Sequence, residues 1–117
     1  MRQLLNIIIM LSILGFGKSN AQTKKEFADA LNTVVFTTKY VTEDNKEITY
    51  VTHELEDGSW QFFSDDEFED FTKVAKLVTL SNIIRIDKTV LDIADLPLGY
   101  YATRKNKKEK WETFKTK

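Results

Sequence analysis

The sequence predicts an α+β fold, a small single domain in which an antiparallel β-sheet built from hairpins carries a short helical middle packed on one face. Three observations point there. β-Branched and aromatic residues alternate at period two in residues 33–42, 47–55 and 59–63. Apolar residues at three- and four-residue steps follow a helix-start motif at Ser64, and strand-like segments return after Pro97-Leu98-Gly99.

Taken in order, residues 22–32 are polar around Phe27 and predict a flexible or weakly helical lead-in. In residues 33–42, Val34, Phe36 and Tyr40 share one face of a strand. Glu43-Asp44-Asn45-Lys46 is a polar turn, after which one strand face reads Ile48, Tyr50, Thr52 and the other Thr49, Val51, His53, Leu55; the two strands are expected to pair as an antiparallel hairpin. Glu56-Asp57-Gly58 makes a second turn, leading into a short strand with Trp60 and Phe62. Ser64 and Glu67 have the spacing of a capping box, and Phe68, Phe71, Val74, Ala75 and Val78 would form the buried face of the helix that it opens. Residues 80–86 suggest a short helix capped by Ser81, and residues 90–96 are too few to assign. Beyond the Pro-Leu-Gly break, residues 100–104 and 110–114 predict a last hairpin, with residues 33–114 forming the domain and 115–117 a basic tail.

The first 21 residues stand apart. Arg2 precedes a 13-residue apolar run broken only by Asn6, Ser12 and Gly15, and Ser19-Asn20-Ala21 places small residues at the minus-three and minus-one positions of a cleavage site. This predicts a secretory signal peptide cleaved after Ala21, with the product periplasmic or secreted. The alternative, a membrane anchor, needs roughly 20 apolar residues, so no stable anchor is expected after cleavage. Because residues 1–21 contain Arg2 and Lys18 but no acid, the remaining 96 residues hold 15 bases against 18 acids.

Composition excludes several chemistries. The 117-residue chain has no cysteine and one histidine, so it has no disulfides, no thiolate nucleophile, no cysteine-ligated zinc and no multi-histidine metal site; no cofactor or metal is expected. After cleavage only Gly58 and Gly99 remain, which excludes a glycine-rich phosphate loop. His53 with Ser59 or Ser64 is the one conceivable triad, without the glycines of a nucleophile elbow. Glu54, Asp65, Asp66 and Glu67 would serve acid–base catalysis only if the fold gathered them near Trp60. No catalytic residue is assigned, and the reading is of a protein that is not an enzyme.

Charge is strongly segregated. Residues 54–70 contain Glu54, Glu56, Asp57, Asp65, Asp66, Glu67, Glu69 and Asp70 and no base, whereas residues 104–117 hold seven bases and two acids interleaved with Trp111 and Phe114. The acidic run is compatible with a solvated face and a helix N-terminus, with a patch for a basic protein, or with a calcium site, although the spacing and central glycine of a calcium loop are absent. An acidic exported chain is not expected to bind nucleic acid.

Asp57-Gly58-Ser59-Trp60-Gln61-Phe62-Phe63-Ser64-Asp65-Asp66-Glu67 resembles the D-S-G-W-x-F-x-x-G-D-E signature of a bacterial family, formerly a domain of unknown function, catalogued among the immunity proteins of polymorphic toxin systems. Asp57, Trp60, Phe62, Asp66, Glu67, Pro97 and Gly99 match; Gly58-Ser59 inverts the usual order and Asp65 replaces a glycine. The resemblance spans about residues 34–104. It implies an α+β domain that neutralises a cognate toxin by stoichiometric binding. Charge and aromatic character then nominate Tyr50, Asp57, Trp60, Asp65, Asp66, Glu67, Glu69 and Asp70 as the binding residues, facing a toxin with a basic surface. The alternative is a general periplasmic ligand-binding or envelope-associated domain.

Overall fold

The computed structural model describes residues 25–117; the expected signal peptide lies outside them. Six strands form one sheet in the order β4-β1-β3-β2-β5-β6, where β1 is Val34–Thr38, β2 Tyr50–His53, β3 Trp60–Phe63, β4 Ala75–Thr79, β5 Tyr100–Thr103 and β6 Glu112–Lys115. Short helices α1 (Lys39–Thr42), α2 (Phe71–Val74) and α3 (Leu80–Ile86) and a 3-10 helix (Lys88–Ile93) complete an α+β domain. Among the described residues, no helix is long and apolar enough to cross a membrane.

The sheet is mixed. The expected hairpin between the first two strands does not form: β1 pairs in parallel with β3, through Phe36 and Gln61, and antiparallel with β4, while β2 pairs antiparallel with β3 and β5. The expected first strand stops at Thr38, because Lys39–Thr42, with Tyr40, form α1, and the polar turn that follows contains Asn45 at a φ of 58°. The β2–β3 and β5–β6 hairpins match expectation, the first closed by Gly58 at φ 73°, a conformation that glycine adopts without steric cost.

The expected helix from Ser64 is also replaced. Only Phe71–Val74 is helical, capped by Asp70, whose side chain accepts from the Thr72 backbone N–H; Ala75–Thr79 then becomes the edge strand β4. β1 takes this segment as its second neighbour, and a ladder of five Cα partners from Val34–Thr79 to Thr38–Ala75 outweighs a periodicity that suits either element. Helix α3 begins where expected, but its cap is Thr79, which accepts from the Asn82 N–H, rather than Ser81.

Cross-strand register divides the sheet into two faces. Val51 pairs with Phe62 and Ala102, and His53 with Trp60, on the face covered by Leu80 and Ile83 of α3, Val90 and Ile93 of the 3-10 helix, Leu96 and Phe27. Phe27, in the polar lead-in, is buried with its ring edge-on to Trp60 at 4.9 Å. A buried clasp closes the far end of this face. Arg104 pairs with Asp87 at 2.7 Å, donates from Nε and Nη2 to the Ile48 carbonyl and from Nη1 to Thr89 Oγ1 and the Lys107 carbonyl, and lies 3.9 Å over the Trp111 ring.

Candidate functional site

The opposite face of the sheet carries a continuous aromatic stripe with no helical layer over it apart from α2. Period-two alternation sends Phe36, Phe63, Tyr50, Tyr101 and Phe114 to this side, one from each of β1, β3, β2, β5 and β6. Neighbouring ring centroids lie 5.4–6.1 Å apart from Phe114 through Tyr101, Tyr50 and Phe63 to Phe71 and Phe36, and Phe68 joins at Phe63 and Phe71. Tyr50 and Phe68 are each 38% exposed, Phe114 43% and Leu77, on the β4 edge, 64%. Aromatic groups left this open to water are a cost to the isolated domain and an asset to a partner that covers them.

At one end of the stripe, an open cleft of about 490 Å³ is bounded by Tyr50, Phe63, Phe68, Ser64, Asp65 and Asp66 on one side and Thr103 and Lys105 on the other. The acids reach this place because β3 ends at Phe63 and the chain turns sharply. Ser64 is buried, its hydroxyl donates to Asp66 Oδ2 at 2.7 Å, and Asp66 also pairs with Lys46 at 3.2 Å. The Ser64 hydrogen bond first, then Lys46, hold the Asp66 carboxyl below its ordinary value, while Asp66 raises that of Lys46. The depressed carboxyl favours this turn above the ordinary carboxylate range, and the contribution is lost as pH falls through the lowered value. Asp65, Glu67 and Glu69 have no intramolecular ion pair among the described residues and project into solvent beside the cleft.

Partial burial among the rings raises the Tyr50 hydroxyl above its ordinary value, assisted by Tyr101 and Glu54. The unfolded chain therefore releases this proton first. We expect the Tyr50 contribution to stability to be intact below pH 10 and lost as the pH climbs above it, seen as a late tyrosinate absorbance step that disappears in Tyr50→Phe.

Two of the eight nominated residues are elsewhere. Trp60 is 2% exposed in the core, stacked on His53 at 3.9 Å with its Nε1 donating to Asp29, so it is no recognition anchor. Asp57 sits in the β2–β3 turn at the opposite end of that hairpin from Asp65, accepting from the Ser59 N–H at 2.9 Å, a bond that lowers its pKa. Tyr50, Asp65 and Asp66 do meet at the cleft, and Glu67, Glu69 and Asp70 follow on the adjoining exposed segment. Missing from the nominated set were Phe36, Phe63, Tyr101 and Phe114, whose strand alternation was visible but whose common face was not, and Phe68 and Phe71, which were expected on the buried face of a helix.

The conceivable His53 triad lacks an orienting carboxylate at Nδ1. His53 Nδ1 is 2.7 Å from the Leu96 carbonyl, so that nitrogen carries the proton and is directed at the backbone rather than at a carboxylate. Among the described residues, no three His, Asp or Glu side chains are grouped so as to hold a metal ion.

A family model described as the Immunity protein Imm33 domain matches residues 35–115. No curated protein and no solved structure matches the chain. The matched span begins at the second residue of β1 and ends at the last of β6, and so includes every ring of the aromatic face.

Proposed function

Since the chain belongs to the Imm33 immunity protein family, we propose that it neutralises a toxin by stoichiometric binding, using the open aromatic face and its acidic end, and that it catalyses no reaction. The observation that carries this reading is the cleft at Tyr50, where a half-exposed ring adjoins Asp65, an exposed carboxylate with no ion pair among the described residues. Desolvating Tyr50, Phe68 and Phe114 would supply affinity, and Asp65, Glu67 and Glu69 would steer a basic toxin surface and set its orientation.

The test is capture of a cognate toxin, measured by calorimetry and stopped flow. Reversing Asp65, Glu67 and Glu69 to lysine is expected to weaken binding by roughly tenfold or more, mostly through slower association, with the thermal midpoint little changed. Unchanged affinity in a folded variant would discard the acidic surface as the docking site.

Residues 1–21 support the further proposal that the protein is exported and acts in the periplasm or outside the cell. Mass spectrometry of protein recovered from its natural host is expected to find a chain starting at Gln22. A chain retaining residues 1–21 in the cytoplasm would refute export.

A further inference from the structure

We infer that the toxin adds an extended segment of its own to the free edge of β4, as a seventh strand centred on Leu77. This docking mode rests on the neutralising role proposed above and specifies what the partner presents. The hydrogen-bond phase of the β1–β4 ladder is the first support. The Leu80 N–H donates to the Thr33 carbonyl at 2.8 Å, one register step beyond the Val34–Thr79 pair, so Thr33 and Leu80 face each other as a bonded pair. Antiparallel pairs alternate between bonded and non-bonded. Val35–Val78 and Thr37–Lys76 are therefore the bonded pairs, and the N–H and C=O of Leu77 turn away from β1, out of the sheet. By the same alternation Thr79 turns its N–H outward and Ala75 its carbonyl, while the Ala75 N–H is taken by the Phe71 carbonyl. Donors and acceptors at this two-residue spacing match another extended backbone.

The two edges of the sheet are unequal. At the far edge, β6 carries Glu112 and Lys115, with Lys110 and Lys117 beside it, the kind of charge that keeps a native edge from pairing. Across Ala75–Thr79 the single charge is Lys76, and Glu43 at the end of α1 engages it at 3.0 Å. What remains exposed at this edge is apolar: Leu77, and Val34 on the same face beside Thr79. Leu77 is also the register partner of Phe36, so a strand added here is continuous with the aromatic face already assigned to the toxin.

Charge gives the added strand a direction. The acidic segment 65–70 leads into β4 through the one turn of α2, and so lies off the Ala75 end, whereas Val34 lies at the Thr79 end. The segment that fits is extended, has apolar residues at alternate positions beside Leu77 and Val34, and carries lysine or arginine at the end that meets Glu67 and Glu69. Main-chain bonds would supply affinity along the edge, and the side-chain alternation and terminal charge would select the partner.

Residue-resolved amide hydrogen exchange on the purified protein tests this, with a synthetic peptide of alternating valine and threonine, lysines at one end, as the probe. At a peptide concentration about ten times its Kd, exchange at Leu77 and Thr79 should slow about tenfold, while Lys76 and Val78, already bonded to β1, stay unchanged. Replacing the peptide's lysines with glutamates should weaken the effect. Leu77→Pro removes the outward N–H and leaves the β1 ladder its bonds, so it should fold and lose at least about tenfold in affinity for peptide and for a cognate toxin. Leu77→Ala, which keeps the N–H, should lose less, and the exchange measurement on the unmodified protein decides the matter should the proline variant fail to fold. A peptide at millimolar concentration that slows no outward amide, a folded Leu77→Pro with unchanged toxin affinity, or Leu77 protection that rises with the protein's own concentration, which would give the edge to a second copy, would each overturn the inference. Toxin capture that persists in the proline variant yet falls on reversal of Asp65, Glu67 and Glu69 would overturn the added strand and leave the neutralising role intact; failure to capture any toxin would remove both.

Discussion

Replacing Arg104 with alanine is expected to cost about 3–5 kcal/mol of folding free energy, a large part of the total for a domain of this size. The guanidinium has five N–H groups, and here all are used, on the Ile48 and Lys107 carbonyls, Thr89 Oγ1 and Asp87. Its side chain is 1% exposed and that of Asp87 4%, so deleting either charge strands the other in the interior. Urea denaturation should show the loss as a large fall in the midpoint. Lysine should not rescue it, because an ammonium has three donors and no plane to lie against Trp111. The exposed Lys46–Asp66 pair provides the contrast: Lys46→Ala should leave the midpoint nearly unchanged, since solvent screens that contact. A small Arg104→Ala effect would mean that the β5–β6 loop is anchored by something other than this clasp.

Trp60→Ala should be comparably damaging, by about 3–5 kcal/mol, without any direct effect on recognition. The indole fills the space between Phe27, His53 and Phe62, with centroid distances of 4.9, 3.9 and 6.1 Å, and its removal would leave a cavity that the surrounding sheet cannot close. Tyr50→Ala is expected to behave in the opposite way, with stability lowered by only about 1–2 kcal/mol and toxin affinity lowered at least tenfold. Measuring both variants by denaturation and by toxin capture separates the two roles. Tryptophan as the binding anchor would be restored only if Trp60→Phe kept full stability yet lost the toxin.

The contrast between these two aromatics shows where the sequence was legible. Both lie on short alternating strands next to turn residues, and both belong to segments of the right composition for recognition. Alternation correctly separated Tyr50 from Val51 and Trp60 from Gln61, yet it carried no information on which side the helices would cover. Similarly, the three- and four-residue steps from Phe68 to Val78 satisfied a helix template, but β1 needed an edge partner and Ala75–Thr79 supplied it. The short-range features survived best: the Gly58 turn, the last hairpin and helix α3 each depend on residues close along the chain.

By itself, then, the sequence determined the α+β class, the exclusion of thiol and multi-histidine chemistry, the concentration of acids in residues 54–70 and the resemblance to immunity proteins that the match over residues 35–115 bears out. Those properties follow from residue type and local spacing. Tertiary structure alone decided the parallel β1–β3 pairing, the division of the acids between two ends of the β2–β3 hairpin, and the alignment of aromatics from five strands on one uncovered face. The physical reason is that a strand's two faces are equivalent until long-range pairing and helix packing bury one of them. Once Trp60 and Phe62 turned toward α3 and Phe27, the same alternation obliged Tyr50, Phe63 and Tyr101 to turn toward solvent.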